Sequence, residues 1–402
     1  MSNIIDYMDW RGDVPLYACP FNEIDNIILA MSAFVDLEGI VPSEIDAEPV
    51  GFVGAMRAFE RVAESRKYLG VLMPPEMLEV ARGAVKSPRF REARLVGYVN
   101  EIDEAESMQF AALTFLLDDG TIYVAFRGTD DTLVGWREDL MMGFHAPIPA
   151  QTRAVSYLSS VAATYDGPIL IGGHSKGGNI AMWAAAFADN DTKGRIRAVY
   201  NNDGPGFLPE IIGSEQFVSV SDRIITFIPQ SSVVGVLLEQ SPQYKIIKST
   251  QVGILQHDPL SWEVKGTQFV YLDKRSKYGA QSDEMLKKWV YSMSEEDREQ
   301  FANILFAAID STGAKTLTDL SDAKLKNLNV ILKSLRSLDR ETRAKMTRAM
   351  VNLLGSRPAP QKAEKAPKPE KTEKAPKPDK LPRTEKAEKS ARQAKNKSLK
   401  QL

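Results

Sequence analysis

A chain of 402 residues, 43% of them apolar, can bury a sizeable core and has room for one elaborated domain with appendages or for about two or three domains. The formal net charge of −2 hides an asymmetry: from Ser356 onward 15 Lys/Arg face 6 Asp/Glu, and the remainder holds 36 against 47, so the tail carries +9 and the body −11. An acidic body excludes nucleic acid at the active site, because phosphate binding needs a positive field, and the single cysteine, Cys19, excludes an internal disulfide.

The N-terminal MSNIIDYMDWRGD has acidic residues where a secretory signal needs positive charge followed by an apolar run. No run approaches the roughly eighteen apolar residues of a membrane span, so a cytoplasmic location is expected. Helices are predicted first: EIDNIILAMSAFVD carries Ile24, Ile27, Ile28 and Met31 at helical spacing. Asn22 is its candidate N-cap, without the Glu expected at N3. Further helices are expected near 51–66 and 75–85.

From about 94 to 272 the pattern turns β-rich, with RLVGYVN, MQFAALTFLL, TIYVAFRG, PILIGGH, AVYNND, RIITFIP and YKIIKST. Two helical patterns, TRAVSYLSSVAATY and KGGNIAMWAAAFAD, alternate with the middle strands. This predicts an α/β fold with a mostly parallel central sheet flanked by helices. Shorter links between the earliest strands predict an antiparallel edge. Residues 283–355 read as helical again, with Ser294 before EEDREQF, Asp297 three residues on, and a stripe of Phe301, Ile304, Leu305 and Ala308. A last helix places Met346, Met350 and Leu353 on one face and stops at Gly355. The resulting division is 1–282, 283–355 and a tail 356–402 with EKAPKPE and EKAPKPD in tandem. The tail's composition predicts disorder, and its charge suits an acidic partner or an anionic membrane surface.

The strongest chemical signal is Gly173-His174-Ser175-Lys176-Gly177, between the apolar run Ile169–Ile171 and the helical pattern from Asn179 to Ala188. A strand–turn–helix setting is what a nucleophile elbow needs: Ser175 stands clear of the sheet, the glycines avoid collision, and the helix N-terminus faces the reacting carbonyl. A serine nucleophile needs a general base. Of the three histidines, His174 abuts Ser175, His145 precedes it, and only His257, in LQHDPLSW, fits the order Ser, acid, His. Asp203, at the tip of AVYNN, is the favoured acid; the alternative is that it only caps its turn. Asp222 lies at the wrong strand end and Asp258 adjoins His257. The strand RIITFIPQ ends in Ser231-Ser232, which could instead assist a Ser–His dyad. The oxyanion donors are expected to be the N–H groups of Lys176 and Thr129, with Asp130 and Asp131 turned away and Trp136 and Asp139 bracing the loop.

Two resemblances follow from these residues. FRGTDDTLVGWREDL followed by GGHSKGGNIA resembles class 3 lipases over about residues 94–265. The set IDY-x-x-WRGD…PFNEIDN, GHSKGGN, DGPGF, IPQSS and QHDPLSW resembles more closely a bacterial, Mbeg-like family of lipase-like α/β-hydrolases. That likeness implies Ser175 as nucleophile and His257 as base. The class 3 pattern has an Asp after the strand equivalent to RIITFIPQ, where this chain has Ser231-Ser232. The expected activity is cleavage of a small-molecule or lipid carboxylic ester, with no metal or cofactor. The alternative is a hydrolase fold reused as a binding or scaffold protein. VVGVLLEQ, at 233–240, is a candidate lid, and the N-terminal helices with the 204–221 and 232–250 segments are candidate pocket walls.

Overall fold

The computed structural model describes residues 2–62, 76–241 and 243–355. The tail from Ser356, and the expected helix beyond Val62, lie outside these residues. Four helices come first: α1 (Ile4–Arg11), α2 (Glu23–Ser32), α3 (Phe52–Val62), which follows a short strand β1 (Val50–Gly51), and α4 (Met77–Lys86). Then come β2 (Arg94–Asp103), β3 (Met108–Leu116), β4 (Ile122–Phe126), α5 (Leu133–Met141), α6 (Pro149–Thr164), β5 (Ile169–His174) and α7 (Lys176–Phe187). Next are α8 (Asn190–Arg195), β6 (Ile196–Asn202), the short α9 (Pro209–Ile212) and α10 (Glu215–Val218), β7 (Ile224–Pro229) and β8 (Tyr244–Ile247). Short strands β9 (Val264–Lys265), β10 (Gln268–Phe269) and β11 (Tyr271–Leu272) precede α11 (Lys277–Tyr291), α12 (Glu295–Asp310), α13 (Leu317–Asp322), α14 (Lys324–Ser337) and α15 (Arg340–Gly355).

Nine strands form one sheet in the order β1-β2-β3-β4-β5-β6-β7-β8-β11. Strands β4 to β8 pair in parallel, because a helix or long connection carries the chain back between them. The pairs β1/β2, β2/β3, β3/β4 and β8/β11 are antiparallel. The sheet is therefore parallel through β4 to β8 and antiparallel at its edges, with the longer antiparallel edge where the short links lie.

Side chains alternate across the sheet, and each face has its own helical layer. In β4, Tyr123 and Ala125 join a core cluster with Ile24, Ile27, Ile28, Val80 and Phe90 from the N-terminal segment. Ile122, Val124 and Phe126 join the opposite cluster with residues of α6 and α7. The N-terminal helices thus make one whole layer of the sandwich. Helix α2 shows why the first turn holds: Asn22 accepts from the Ile24 and Asp25 amides, and Asp25 returns a bond to the Asn22 N–H at 2.9 Å. Asp25 therefore completes at N3 the capping box that the missing Glu had left open. The same carboxylate forms a fully buried ion pair with Arg89, whose remaining donors reach the carbonyls of Val14, Cys19 and Pro20. At the other end, Ser294 accepts from the Asp297 amide at 3.2 Å, and Phe301 and Ala308 are buried.

The C-terminal helices pack on their own chain beside α5. Leu133 N–H donates to Lys315 O and Leu317 N–H to Asp131 O, both at 2.9 Å. Arg137 of α5 pairs with Asp310 and lies over the Phe306 ring at 5.1 Å. Among the described residues no helix is long and apolar enough to cross a membrane.

Candidate active site

Strand β5 delivers Ser175 to a sharp turn at φ 59°, ψ −133°, from which α7 starts. A left-handed backbone at a serine costs about 1–3 kcal/mol and persists only where neighbours enforce it. Here the chain is too close for any side chain. A Cβ on Gly177 would lie 2.1 Å from Phe126 O, and one on Gly173 would lie 2.3 Å from the Gly177 carbonyl carbon. Ser175 itself is only half-buried. Helix α7 is buried on all sides, so its two long polar side chains near the elbow need partners. Asn179 Nδ2 donates to Gly206 O at 2.8 Å, and its Oδ1 accepts from Gln151. Lys176 Nζ donates to Gln109 O at 2.8 Å and to Glu138 Oε2 at 2.9 Å.

Beyond the tip of β6, Asp203 is fully buried at φ 54°. Its Oδ2 lies 2.8 Å from His257 Nδ1, and its Oδ1 accepts from Ser232 Oγ at 2.5 Å. Ser232 Oγ in turn accepts from the Gly235 N–H at 3.0 Å, so its proton is directed to the carboxylate. A carboxylate with these partners makes Nδ1 the donor and leaves the lone pair of a neutral His257 on Nε2. Ser231 is not part of this contact; it bonds Ser276 and Gln256.

His174 grips the same loop. Its Nε2 lies 2.8 Å from the His257 carbonyl, which can only accept, so Nε2 carries the proton. The two rings lie 4.3 Å apart at their centroids. Burial, together with the neighbouring His257, holds the His174 imidazole well below the usual histidine range, so it is neutral. Its Nδ1 has no hydrogen-bond partner among the described residues.

On the other side of the turn, the loop after β4 lies against Ser175. A Cβ on Gly128 would lie 3.1 Å from Ser175 Cβ. Thr129 Oγ donates to Asp139, 2.7 Å from Oδ2 and 2.9 Å from Oδ1, so its hydroxyl is committed to α5. Asp130 accepts from the Thr132 N–H and hydroxyl and pairs with Arg127 at 3.1 Å. Burial pushes the Asp139 carboxyl up to about 6, against the pull of Lys176 and the Thr129 hydrogen bond.

The remaining candidates fall elsewhere. His145 is exposed after α5, Asp222 is exposed at the opposite end of the sheet, and Asp258 caps the Pro259–Ser261 turn through Leu260 N–H. Trp136 does not brace the loop by hydrogen bonding, since its indole N–H has no partner among the described residues. Nor is 233–240 a free flap: Val236 and Leu238 are buried, and Glu239 exchanges both backbone hydrogen bonds with Phe207. Among the described residues there is no group of three or more His, Cys, Asp or Glu able to hold a metal ion.

Sequence reading missed the grip of His174 and the buried partner of Lys176. The second had a signal: a lysine in a helix that, Asn179 apart, is made of small and apolar residues must find a counter-charge. The first had none, because the partner of His174 is a backbone carbonyl.

No curated protein matches the chain. A crystal structure titled M37 lipase aligns at 14% identity and a TM-score of 0.29, covering 52% of this chain and 68% of that one. A sequence profile described as Mbeg1-like matches residues 84–307, more than half of the protein. The chain belongs to the Mbeg1-like family.

Proposed function

We propose that the protein is a serine hydrolase with an α/β-hydrolase fold that cleaves a carboxylic ester. The catalytic domain is 1–282 and the helical region 283–355 is its appendage. Ser175 attacks the carbonyl, and His257 Nε2 takes the proton and returns it to the leaving alcohol. Asp203 orients the ring, and the N–H groups of Lys176 and Thr129 receive the oxyanion. Water then cleaves the acyl-enzyme by the same route. The observation that carries this reading is the 2.8 Å contact between His257 Nδ1 and Asp203, a buried carboxylate bound to the histidine that follows the elbow serine in the chain. The scaffold reading drew on the missing carboxylate at Ser231-Ser232. With Asp203 bonded to His257 from the neighbouring strand tip, and Ser232 bonded to Asp203, that feature no longer favours it.

An acyl or lipid substrate suits the surroundings of the base. Val252, Ile254 and Leu255 expose 42%, 52% and 59% of their surface on the segment leading to His257, an arrangement that attracts apolar ligands. Fluorophosphonate labelling of the folded protein, with Ser175→Ala as control, tests the nucleophile. A panel of p-nitrophenyl esters of graded chain length tests the substrate. Labelling lost in Ser175→Ala and a rate that rises with chain length are expected; equal turnover by wild type and mutant would end the proposal.

A further inference from the structure

Lys176 and Glu138 form an ion pair at 2.9 Å with side chains 1% and 0% exposed. Glu138 is the meeting point of three separate segments. Its Oε2 accepts from Gln109 N–H at 3.0 Å and from Lys176, and its Oε1 accepts from Ala150 N–H, next to the start of α6, at 2.8 Å. Lys176 also donates to Gln109 O, so the ammonium, the carboxylate and the Gln109 backbone close a ring at the start of β3.

Desolvating two such charges offsets most of their attraction, and apolar side chains of similar size often serve stability as well or better. What a hydrogen-bonded buried pair does supply is a fixed distance between the elements it joins. Here those elements are α5 and the first residue after the nucleophile. The adjacent carboxylate of α5, Asp139, holds Thr129. One turn of one helix therefore reaches both residues whose backbone N–H groups would receive the oxyanion.

We infer that Glu138 is a positioning residue: through Lys176 it sets the separation of the two oxyanion donors and so the strength of transition-state binding. This rests on the role proposed for Ser175. A donor displaced by a fraction of an ångström binds the ester ground state almost unchanged and the oxyanion poorly.

The test uses the full-length protein and three readouts. In Glu138→Gln, kcat on a p-nitrophenyl ester falls about 10- to 100-fold with KM within about twofold, and fluorophosphonate inactivation slows in proportion. In Glu138→Gln/Lys176→Met, which removes both charges, Tm returns towards wild type while kcat stays low. Amide hydrogen exchange over 126–132 and 174–178 rises in Glu138→Gln. A folded Glu138→Gln with wild-type kcat and exchange overturns the inference, as does recovery of kcat together with Tm in the double variant. If the single variant does not fold, the double variant decides alone, low kcat supporting and wild-type kcat overturning. If wild-type Ser175 is not labelled, the hydrolase reading fails; raised exchange then still supports Glu138 as the spacer and unchanged exchange overturns it.

Discussion

The two flanks of the elbow are held by different forces. On the base side, the hydrogen bonds to Asp203 and His257 come from neutral groups, the Ser232 hydroxyl and the neutral His174 ring, with the Gly235 amide fixing Ser232. The nearby cation, Arg275, feels the Asp203 charge but donates to the Ser232 carbonyl, at 2.7 Å, and to Asp283. On the oxyanion side, charges dominate: Arg127 with Asp130, Lys176 with Glu138, and Asp139 on Thr129. Under the proposed mechanism, the difference follows from what each flank would have to do. A cation pressed on Asp203 would weaken its hold on an imidazolium, so hydroxyl and amide donors suit it. Carboxylates beside a developing oxyanion would oppose it, so each is turned away into a partner. Isosteric charge removal should therefore act differently at Asp203, whose charge faces His257, and at Asp139, whose charge is turned away into Thr129.

The largest effect is expected on the base side. Asp203→Asn keeps the shape but lets the amide donate towards Nδ1, which puts the proton on the wrong nitrogen. A loss of about 10⁴-fold in kcat with an unchanged fold is expected, by analogy with the same exchange in other triads. Stopped assays on a short-chain ester, with circular dichroism to check folding, measure it. A loss below about tenfold would remove Asp203 from the site.

His174→Phe keeps a flat ring against His257 and deletes the donor to its carbonyl. A fall in kcat of about 10- to 100-fold is expected, the range for misplacing a reacting group. His174→Gln, whose amide can reproduce the Nε2–H, should recover most of it. Equal rates in the Phe and Gln variants would show that only packing matters at this position. Ser232→Ala comes next. It removes one neutral hydrogen bond to a buried carboxylate, worth about 1.5–3 kcal/mol when the acceptor is charged. Part of that appears as lost Tm and part as a slower rate, and an unchanged pair of values would make Ser232 a bystander.

Much of this geometry was legible in the sequence because it depends on local pattern. The seven β-rich runs became strands β2 to β8, since alternation and turn residues dictate them. Asp203 was reachable because a carboxylate just past a parallel strand tip has few places to point. Lys176 and Thr129 are the donors proposed because an elbow fixes where donors would have to stand. Other contacts were not legible. Glu138 sits in WREDL, where two acidic residues look like the solvent face of a helix; only the docking of α5 on β3 and α6 buries one of them. Asp25 reads as an ordinary helix-start acid, yet tertiary packing makes it the buried partner of Arg89 across 64 residues of chain. The packing of the candidate lid at 233–240 was hidden for a similar reason: Leu238 joins the core and Glu239 pairs its backbone with Phe207 only in the folded chain.

The smallest effect on rate, and one of opposite sign on stability, is expected at Asp139. Its carboxyl is pushed up to about 6 from the ordinary 3.8, chiefly by burial. Below about pH 4 the group is protonated in folded and unfolded chains alike and contributes nothing. As pH rises, the unfolded chain ionises first, and the folded chain resists until about pH 6, so stability is lost across that window and stays lost above it. Asp139→Asn removes the penalty while its amide oxygen still accepts from Thr129. The variant should therefore melt higher than wild type at pH 7–8, with the gap closing as pH falls from 6 towards 4. Its kcat should change by no more than about threefold, because the Thr129 contact persists. Thermal melts of both proteins across that range decide it. A gap independent of pH would mean that the substitution acts by packing. A rate loss approaching that of Asp203→Asn would mean that the charge of Asp139, and not only its hydrogen bond, serves the reaction, and the contrast between the flanks would collapse.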